Sequence, residues 1–357
     1  MKQRDFIDLI SGNKRGPLAA VKRGVLRFAS WFFTLGAVTR LLLYRTGLKS
    51  GSKVDVPVIC VGNLTTGGTG KTPAVAWVVH ALIELGRKPA IVSRGYRSDE
   101  SGNDEMKVLS ELLPDTPHVQ DPNRTAGAKR AIAEGADCIV LDDGFSHLRL
   151  ARDLDILLFD ALNPFGFGRM LPRGLLREPL SSVRRAKFAI FTRADVAHKD
   201  RLRDLEDTIR CKGFVGDIAH SAHEAVKLIR ISDGEEFSLT ELKDKIVAPF
   251  CGIGNPRGFE RTLESLGAVI SPLGTLRLDD HQRYDDALMQ GQVIPFVRTA
   301  RESGAVAGIC TQKDAVKFRG HNVGLEAEVP LYELRVAFRV TLNETALRDK
   351  LTEILAG

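Results

Sequence analysis

Residues 61–73 read Val61-Gly62-Asn63-Leu64-Thr65-Thr66-Gly67-Gly68-Thr69-Gly70-Lys71-Thr72-Pro73, with an apolar run before them and a helical pattern after. Glycines let successive backbone N–H groups turn toward one anion, and a helix start adds the positive end of its dipole. The Lys71 ammonium can reach outer phosphates and the Thr72 hydroxyl can hold Mg²⁺. Binding of a nucleoside triphosphate is the chemistry on offer. Asn63, Thr65, Gly67, Gly68, Thr69, Gly70, Lys71 and Thr72 are the residues expected around the nucleotide, with Lys71 also counted as catalytic. The competing reading, a glycine-rich turn made for packing, seldom yields Gly-Lys-Thr after a buried strand.

The usual phosphate loop places a glycine where this chain has Thr65. Gly67 and Gly68 replace it, which resembles the loop of the deviant P-loop ATPases, yet their additional lysine would fall at Thr66 and is missing. A second chemical element is 136–144, an apolar run that delivers Asp142 and Asp143 at its end. Downstream of a phosphate loop such carboxylates hold the Mg²⁺ of the nucleotide, directly or through water. Arg94 and Arg97 suit bidentate phosphate contacts, as do Arg173 and Arg177, and Glu178 can complete the outer shell of the metal. A surface salt bridge is the alternative for that last group.

A carboxylate that holds one imidazole nitrogen lets the other take a proton from an alcohol. Asp104 and the run Asp279-Asp280-His281 supply such groups, although each alone reads as a solvated turn. His220 and His223 form an isolated H-x-x-H without a cysteine partner and read as structural. The run 251–256 is a tight turn between strand and helix that could face an anion. Residues 192–195 and 311–314 only faintly match the base-reading loop of GTPases, so guanine specificity has no support.

These groups need elements to carry them. Strands are predicted at 56–61, 90–93, 138–141, 156–159 and 188–192, and helices at 72–85, 106–113, 124–134 and 201–210. Alternation of this kind implies a parallel sheet covered on both faces, with ligands at the carboxyl ends of its strands. The fold class expected is α/β, P-loop NTPase-like, with a mainly parallel sheet, a smaller C-terminal α/β domain and a basic N-terminal amphipathic helix. The expected divisions are 1–52 for the membrane-associating segment, 53–214 for the P-loop domain, 215–235 for a strand-rich connector and 236–357 for the C-terminal domain. The second block is expected to hold strands at 246–250, 268–271, 306–310 and 329–336, and helices at 257–266, 285–300 and 344–355.

A chain of 357 residues, 43% hydrophobic, can bury sizeable cores. Its five cysteines lack any C-x-x-C pair, which suits a reducing compartment. The net charge of +6 is confined to the front: residues 1–52 hold ten Lys/Arg against two Asp/Glu, leaving 41 basic against 43 acidic residues elsewhere. Aromatic and aliphatic side chains from Phe28 to Tyr44 interleave with Arg23, Arg27, Arg40 and Arg45. The uncharged stretch 28–38 is shorter than the roughly 20 residues that cross a bilayer, so an interfacial helix on an anionic membrane surface is expected. An ordinary packed helix is the alternative. A cleaved secretory signal is not expected, because the apolar stretch is interrupted and no cleavage site follows. No motif supports nucleic acid as a partner.

Taken in order, the loop Gly62-Asn63-Leu64…Gly67-Gly68-Thr69-Gly70-Lys71-Thr72-Pro73, Ser93-Arg94-Gly95-Tyr96, Asp104-Glu105, Leu141-Asp142-Asp143-Gly144-Phe145…His147, Leu176-Arg177-Glu178-Pro179, Gly252-Ile253-Gly254-Asn255-Pro256, Asp280-His281 and Lys313-Asp314-Ala315-Val316 resemble the tetraacyldisaccharide 4'-kinase family of lipid A biosynthesis. The resemblance implies a two-domain P-loop kinase at the cytosolic face of the inner membrane, peripheral or monotopic. It implies transfer of the γ-phosphoryl group of ATP to the 4'-hydroxyl of tetraacyldisaccharide 1-phosphate, a glycolipid partner. The family's Asp–His dyad falls on Asp104 and His281, and its metal-site acids on Asp142, Asp143 and Glu178, with Thr72. Asn103, Met106, Ser146 and Arg173 depart from the family pattern. Two rivals stay open here: a membrane-associated P-loop ATPase used as a switch, and a GTPase targeting module.

Overall fold

The computed structural model describes residues 3–95, 104–279, 282–319 and 330–356. Within it the chain forms two compact units, one of residues 3–222 with 338–357 and one of residues 223–337. The chain leaves the first unit within one long strand and returns to it within another.

In the first unit, β1 (Val58–Gly62), β2 (Pro89–Ser93), β4 (Cys138–Asp142), β5 (Leu154–Asp160) and β6 (Phe188–Thr192) are buried along their whole length. Short β3 (His118–Gln120) lies at one edge, and the start of β7 (Asp217–Arg230) pairs with β6 at the other end of this run of strands. Their order is β7-β6-β5-β1-β4-β2-β3, with every pairing parallel. Continuous apolar runs such as Val58-Ile59-Cys60-Val61 are what a parallel sheet covered on both faces demands. The helices on those faces are α3 (Lys71–Glu84), α4 (Asp104–Leu112), α5 (Arg124–Ala133) and α6 (Lys199–Cys211). Because β1 lies between β4 and β5, the phosphate loop after β1 and the Asp142–Asp143 pair after β4 emerge side by side at the carboxyl ends of the strands. The α/β, P-loop NTPase-like expectation is met.

Ahead of the sheet stand α1 (Gln3–Ser11) and the 29-residue α2 (Pro17–Arg45). By length and composition α2 is apolar enough to cross a membrane, and this corrects the count based on 28–38 alone. That count ended at residue 38, whereas the helix starts with Pro17 at its first turn and continues past Arg40 to Arg45. Ala19, Ser30 and Ala37 are buried, while Phe28, Trp31, Phe32 and Leu35 are 57%, 63%, 63% and 66% exposed.

The second unit holds β8 (Glu236–Phe237), β9 (Ile246–Cys251), β10 (Val269–Ile270), β11 (Leu276–Arg277), β12 (Ala307–Thr311) and the first part of β13 (Leu331–Leu342). Strands β10, β9, β12 and β13 are neighbours in that order and pair in parallel. Its helices are α7 (Pro256–Ser265), α8 (Asp286–Leu288) running through a π turn into α9 (Ile294–Glu302), and α10 (Gln312–Ala315).

Helix α11 (Glu344–Ala356), assigned with the C-terminal domain on sequence, belongs to the first unit. Leu347 and Leu351 are buried in the cluster that contains Val75, Val78, Val79 and Leu82 of α3. Arg348 pairs with Glu84 at 2.7 Å and lies over the Trp77 ring. The apolar stripe of α3 is thus covered in part by a segment from the far end of the chain.

Candidate functional site

Helix α3 starts with Gly70 as its N-cap in the left-handed region (φ 78°, ψ 27°), and no side chain caps its first N–H groups. Pro73 occupies a first-turn position, where its missing N–H breaks no helical bond. Gly67 also has positive φ (114°), and a Cβ placed there or at Gly68 meets nothing within 4 Å. The loop is therefore an open concavity edged by unspent amide donors, as an anion site requires.

Neighbouring segments hold the loop in place. The Thr66 amide donates to the Leu175 carbonyl at 2.8 Å, and Thr192 Oγ1 at the end of β6 donates to the Thr69 carbonyl at 3.0 Å. Asn63, fully buried, accepts from Lys71 Nζ at 3.4 Å and from Arg177 Nη2 at 2.6 Å through one side-chain oxygen. Thr65 Oγ1 accepts from Asn63 Nδ2, while Thr69 Oγ1 is buried without a hydrogen-bond partner. Lys71 and half-buried Thr72 are the first two residues of α3.

The two acids at the end of β4 differ in environment. Asp143, with φ 54°, is gripped by Arg177, whose Nη1 and Nη2 donate to its two oxygens at 2.8 and 2.6 Å. Burial pushes its carboxyl up, but Lys71, Arg177 and Arg124 together hold it well below the usual range. Asp142 is buried and its Oδ1 has no hydrogen-bond partner. Burial, with Glu105 and Asp143 adding to it against Lys71 and Arg124, raises its carboxyl to about 7. A lone buried carboxylate oxygen beside a phosphate loop is the environment a hydrated or bound dication completes. Among the described residues no group of three or more His, Cys, Asp or Glu is arranged to hold a metal ion. Thr72 and Asp142, with phosphate oxygens, are of the donor types that could hold Mg²⁺.

Glu178, expected in the metal shell on sequence, is held here by two arginines. It is fully buried, Arg185 donates to it at 2.6 Å and Arg40 of α2 at 3.2 Å, so both oxygens are engaged by guanidinium groups. Arg185 also lies over the Phe145 ring, 4.1 Å from its centroid. Asp104 is the first residue of α4, one position ahead of the Glu105 whose charge acts on Asp142. His281 and Asp280 lie outside the described residues, as do Tyr96, Arg97 and Asn103. Arg173 faces the N-terminal helices, with Nη1 donating to the Ile10 carbonyl at 2.7 Å. His220 stacks on Phe191.

Arg124 was missed as a site residue. It opens α5, is buried, and interacts with Asp143, Arg94 and Asp142. Burial and the crowd of Arg124, Arg149, Arg152 and Arg94 push the His147 ring down to about 4. A signal was available, since an arginine in a helix's first turn opposes the dipole and is there for some other reason than helix stability.

The sequence model of the tetraacyldisaccharide-1-P 4'-kinase family matches residues 23–356. The chain belongs to this family. Tetraacyldisaccharide 4'-kinase of Halothermothrix orenii is 34% identical over 93% of this chain and 92% of its own length. The enzyme of the same name from Anaeromyxobacter dehalogenans is 38% identical over 85% and 83%. Among solved structures, LpxK from Aquifex aeolicus in complex with ATP superimposes with a TM-score of 0.71 at 27% identity, covering 93% of this chain and 99% of that one. Family membership makes the protein an ATP-dependent tetraacyldisaccharide 4'-kinase of lipid A biosynthesis, with a glycolipid substrate.

Proposed function

We infer that the γ-phosphoryl group of ATP passes to the 4'-hydroxyl of tetraacyldisaccharide 1-phosphate at the first unit's strand ends. The observation that carries this reading is Asp142 with an unpartnered oxygen beside the uncapped start of α3. The loop amides and Lys71 cradle the phosphates; Arg177 and Asn63 fix the loop's shape from below. Mg²⁺, held by Thr72 and Asp142, supplies neutralisation of phosphate charge when bound. Arg124 and Arg94 add positive potential where charge is handed over. Asp104 and His281 act as the unit that takes the acceptor's hydroxyl proton.

The acceptor is a lipid, and α2 supports a membrane surface as its meeting place. One side of α2 rests on its own unit through Ser30 and Arg40, and the opposite side presents aromatics and aliphatics to the surroundings. A helix held on one side in this way suits a position in the headgroup layer, on the cytosolic face of the inner membrane where ATP is present. Nucleic acid has no part in this scheme.

Single and double alanine substitutions at Asp104 and His281 test the proton-transfer assignment. Each single change lowers kcat by about 100-fold or more, and the double change adds little because the pair works as one. Losses that multiply would assign the two residues to separate tasks. ATP hydrolysis that runs equally fast without glycolipid would favour the switch ATPase instead.

A further inference from the structure

Between α2 and the 166–173 loop lies a cavity of about 210 Å³ lined by Arg27, Ser30, Trp31, Thr34, Arg169 and Arg173. Its wall is built rather than accidental. Ser30 Oγ accepts the Arg173 amide at 3.0 Å, and the Arg173 guanidinium is tied to the Ile10 carbonyl. Burial and the like charges of Arg169, Arg23 and Arg27 push the Arg173 guanidinium down from its ordinary value. None of these four arginines has a carboxylate partner among the described residues. Elsewhere the chain neutralises its clustered arginines: Arg40 and Arg185 share Glu178, and Arg177 holds Asp143. Like charges gathered around a cavity without a counter-ion cost free energy in the empty protein, and an anion of matching shape removes that cost.

We propose that this cavity is a binding site for the phosphate group of a membrane lipid, with Arg27, Arg169 and Arg173 on the phosphate oxygens and Trp31 at the lipid boundary. The proposal rests on the reading of α2 as a membrane-surface helix. Two sources share this chemistry: a bulk anionic phospholipid and the phosphate already on the glycolipid acceptor. Trp31, 63% exposed beside the arginines, has the amphipathic ring that settles at headgroup level. A diffuse basic surface would need neither the cavity nor the fixed geometry.

The test is flotation of the full chain with phosphatidylcholine vesicles carrying either phosphatidylglycerol or, at equal surface charge, oleate. Arg27→Gln with Arg169→Gln is compared with Arg15→Gln plus Lys22→Gln, which removes the same charge away from the cavity. Neither the Arg27 nor the Arg169 side chain donates a hydrogen bond to the described protein, so the first double variant keeps its fold, and a thermal melt verifies this. The expected result is that wild type prefers phosphatidylglycerol and that the cavity variant loses about tenfold more affinity than the charge-matched one, as charge-assisted hydrogen bonds exceed diffuse attraction. Inorganic phosphate should displace wild type better than chloride of equal ionic strength. Equal losses in the two variants, or equal binding to oleate, together with an unchanged acceptor KM in detergent, would overturn the site while leaving membrane association intact. Failure of wild type to float with either vesicle would instead remove the membrane reading and the proposal with it. In neutral detergent, a raised acceptor KM at unchanged kcat in the cavity variant marks the acceptor's own phosphate as occupant. An unchanged KM there, with vesicle binding lost, marks bulk phospholipid.

Discussion

Arg177 closes a two-pronged grip on Asp143 while reaching the backbone carbonyl of Asn63 at 2.8 Å with the same guanidinium, so one side chain locks the ends of β1 and β4 together. The neighbouring Asp142 is left with an oxygen to spare. Adjacent acids, alike in sequence, thereby differ in that one is paired with a guanidinium and the other keeps an unpartnered oxygen.

That division predicts different phenotypes. Asp143→Ala leaves the largely buried Arg177 charge unpaired and lowers stability by about 2 kcal/mol, whereas Arg177→Met with Asp143→Ala recovers part of the loss. A double-mutant cycle by urea unfolding measures the coupling. Asp142→Ala, by contrast, lowers kcat by about 100-fold or more without loss of stability.

Lys71→Ala should leave the fold unchanged, because its only hydrogen bond to the described protein is the 3.4 Å contact with Asn63. Turnover should fall by about 100-fold or more, since the phosphates lose their cationic partner. Circular dichroism with a steady-state assay separates the two effects.

Asp142 also sets a pH dependence. Its folded-state value, raised to about 7, lies above the ordinary unfolded value near 3.9. The folded protein therefore holds this proton more tightly, and stability of the nucleotide-free protein falls as pH climbs from about 4 to 7. Asp142→Asn should flatten that decline and stabilise the protein at pH 8 by an amount on the order of a few kcal/mol. Denaturant midpoints across pH 5–8 measure it; a parallel decline in the variant would contradict the assignment.

What the sequence made legible was local. The turn from β1 into α3, the apolar β4 ending in two acids, and the alternation of strand and helix are written in consecutive residues, and the structure keeps them close to the expected bounds. Long-range partnerships were not legible. Glu178 is held by Arg40, 138 residues away, a contact that its place beside Arg177 does not announce. α11 covers α3 across the whole chain, a choice settled by the stripe of Val75, Val78, Val79 and Leu82 and not by any local pattern. α2 was undercounted because charged residues were treated as ends, although a long helix can carry arginines on its flank.

The central claim is a phosphoryl transfer from a nucleotide on the 63–72 loop to a lipid-borne sugar alcohol. Mass spectrometry of tetraacyldisaccharide 1-phosphate incubated with purified protein and Mg-ATP tests it most directly. The account predicts a product heavier by one phosphate, placed at the 4'-position by fragmentation and lost in Lys71→Ala. Unmodified acceptor alongside vigorous ATP hydrolysis would contradict it.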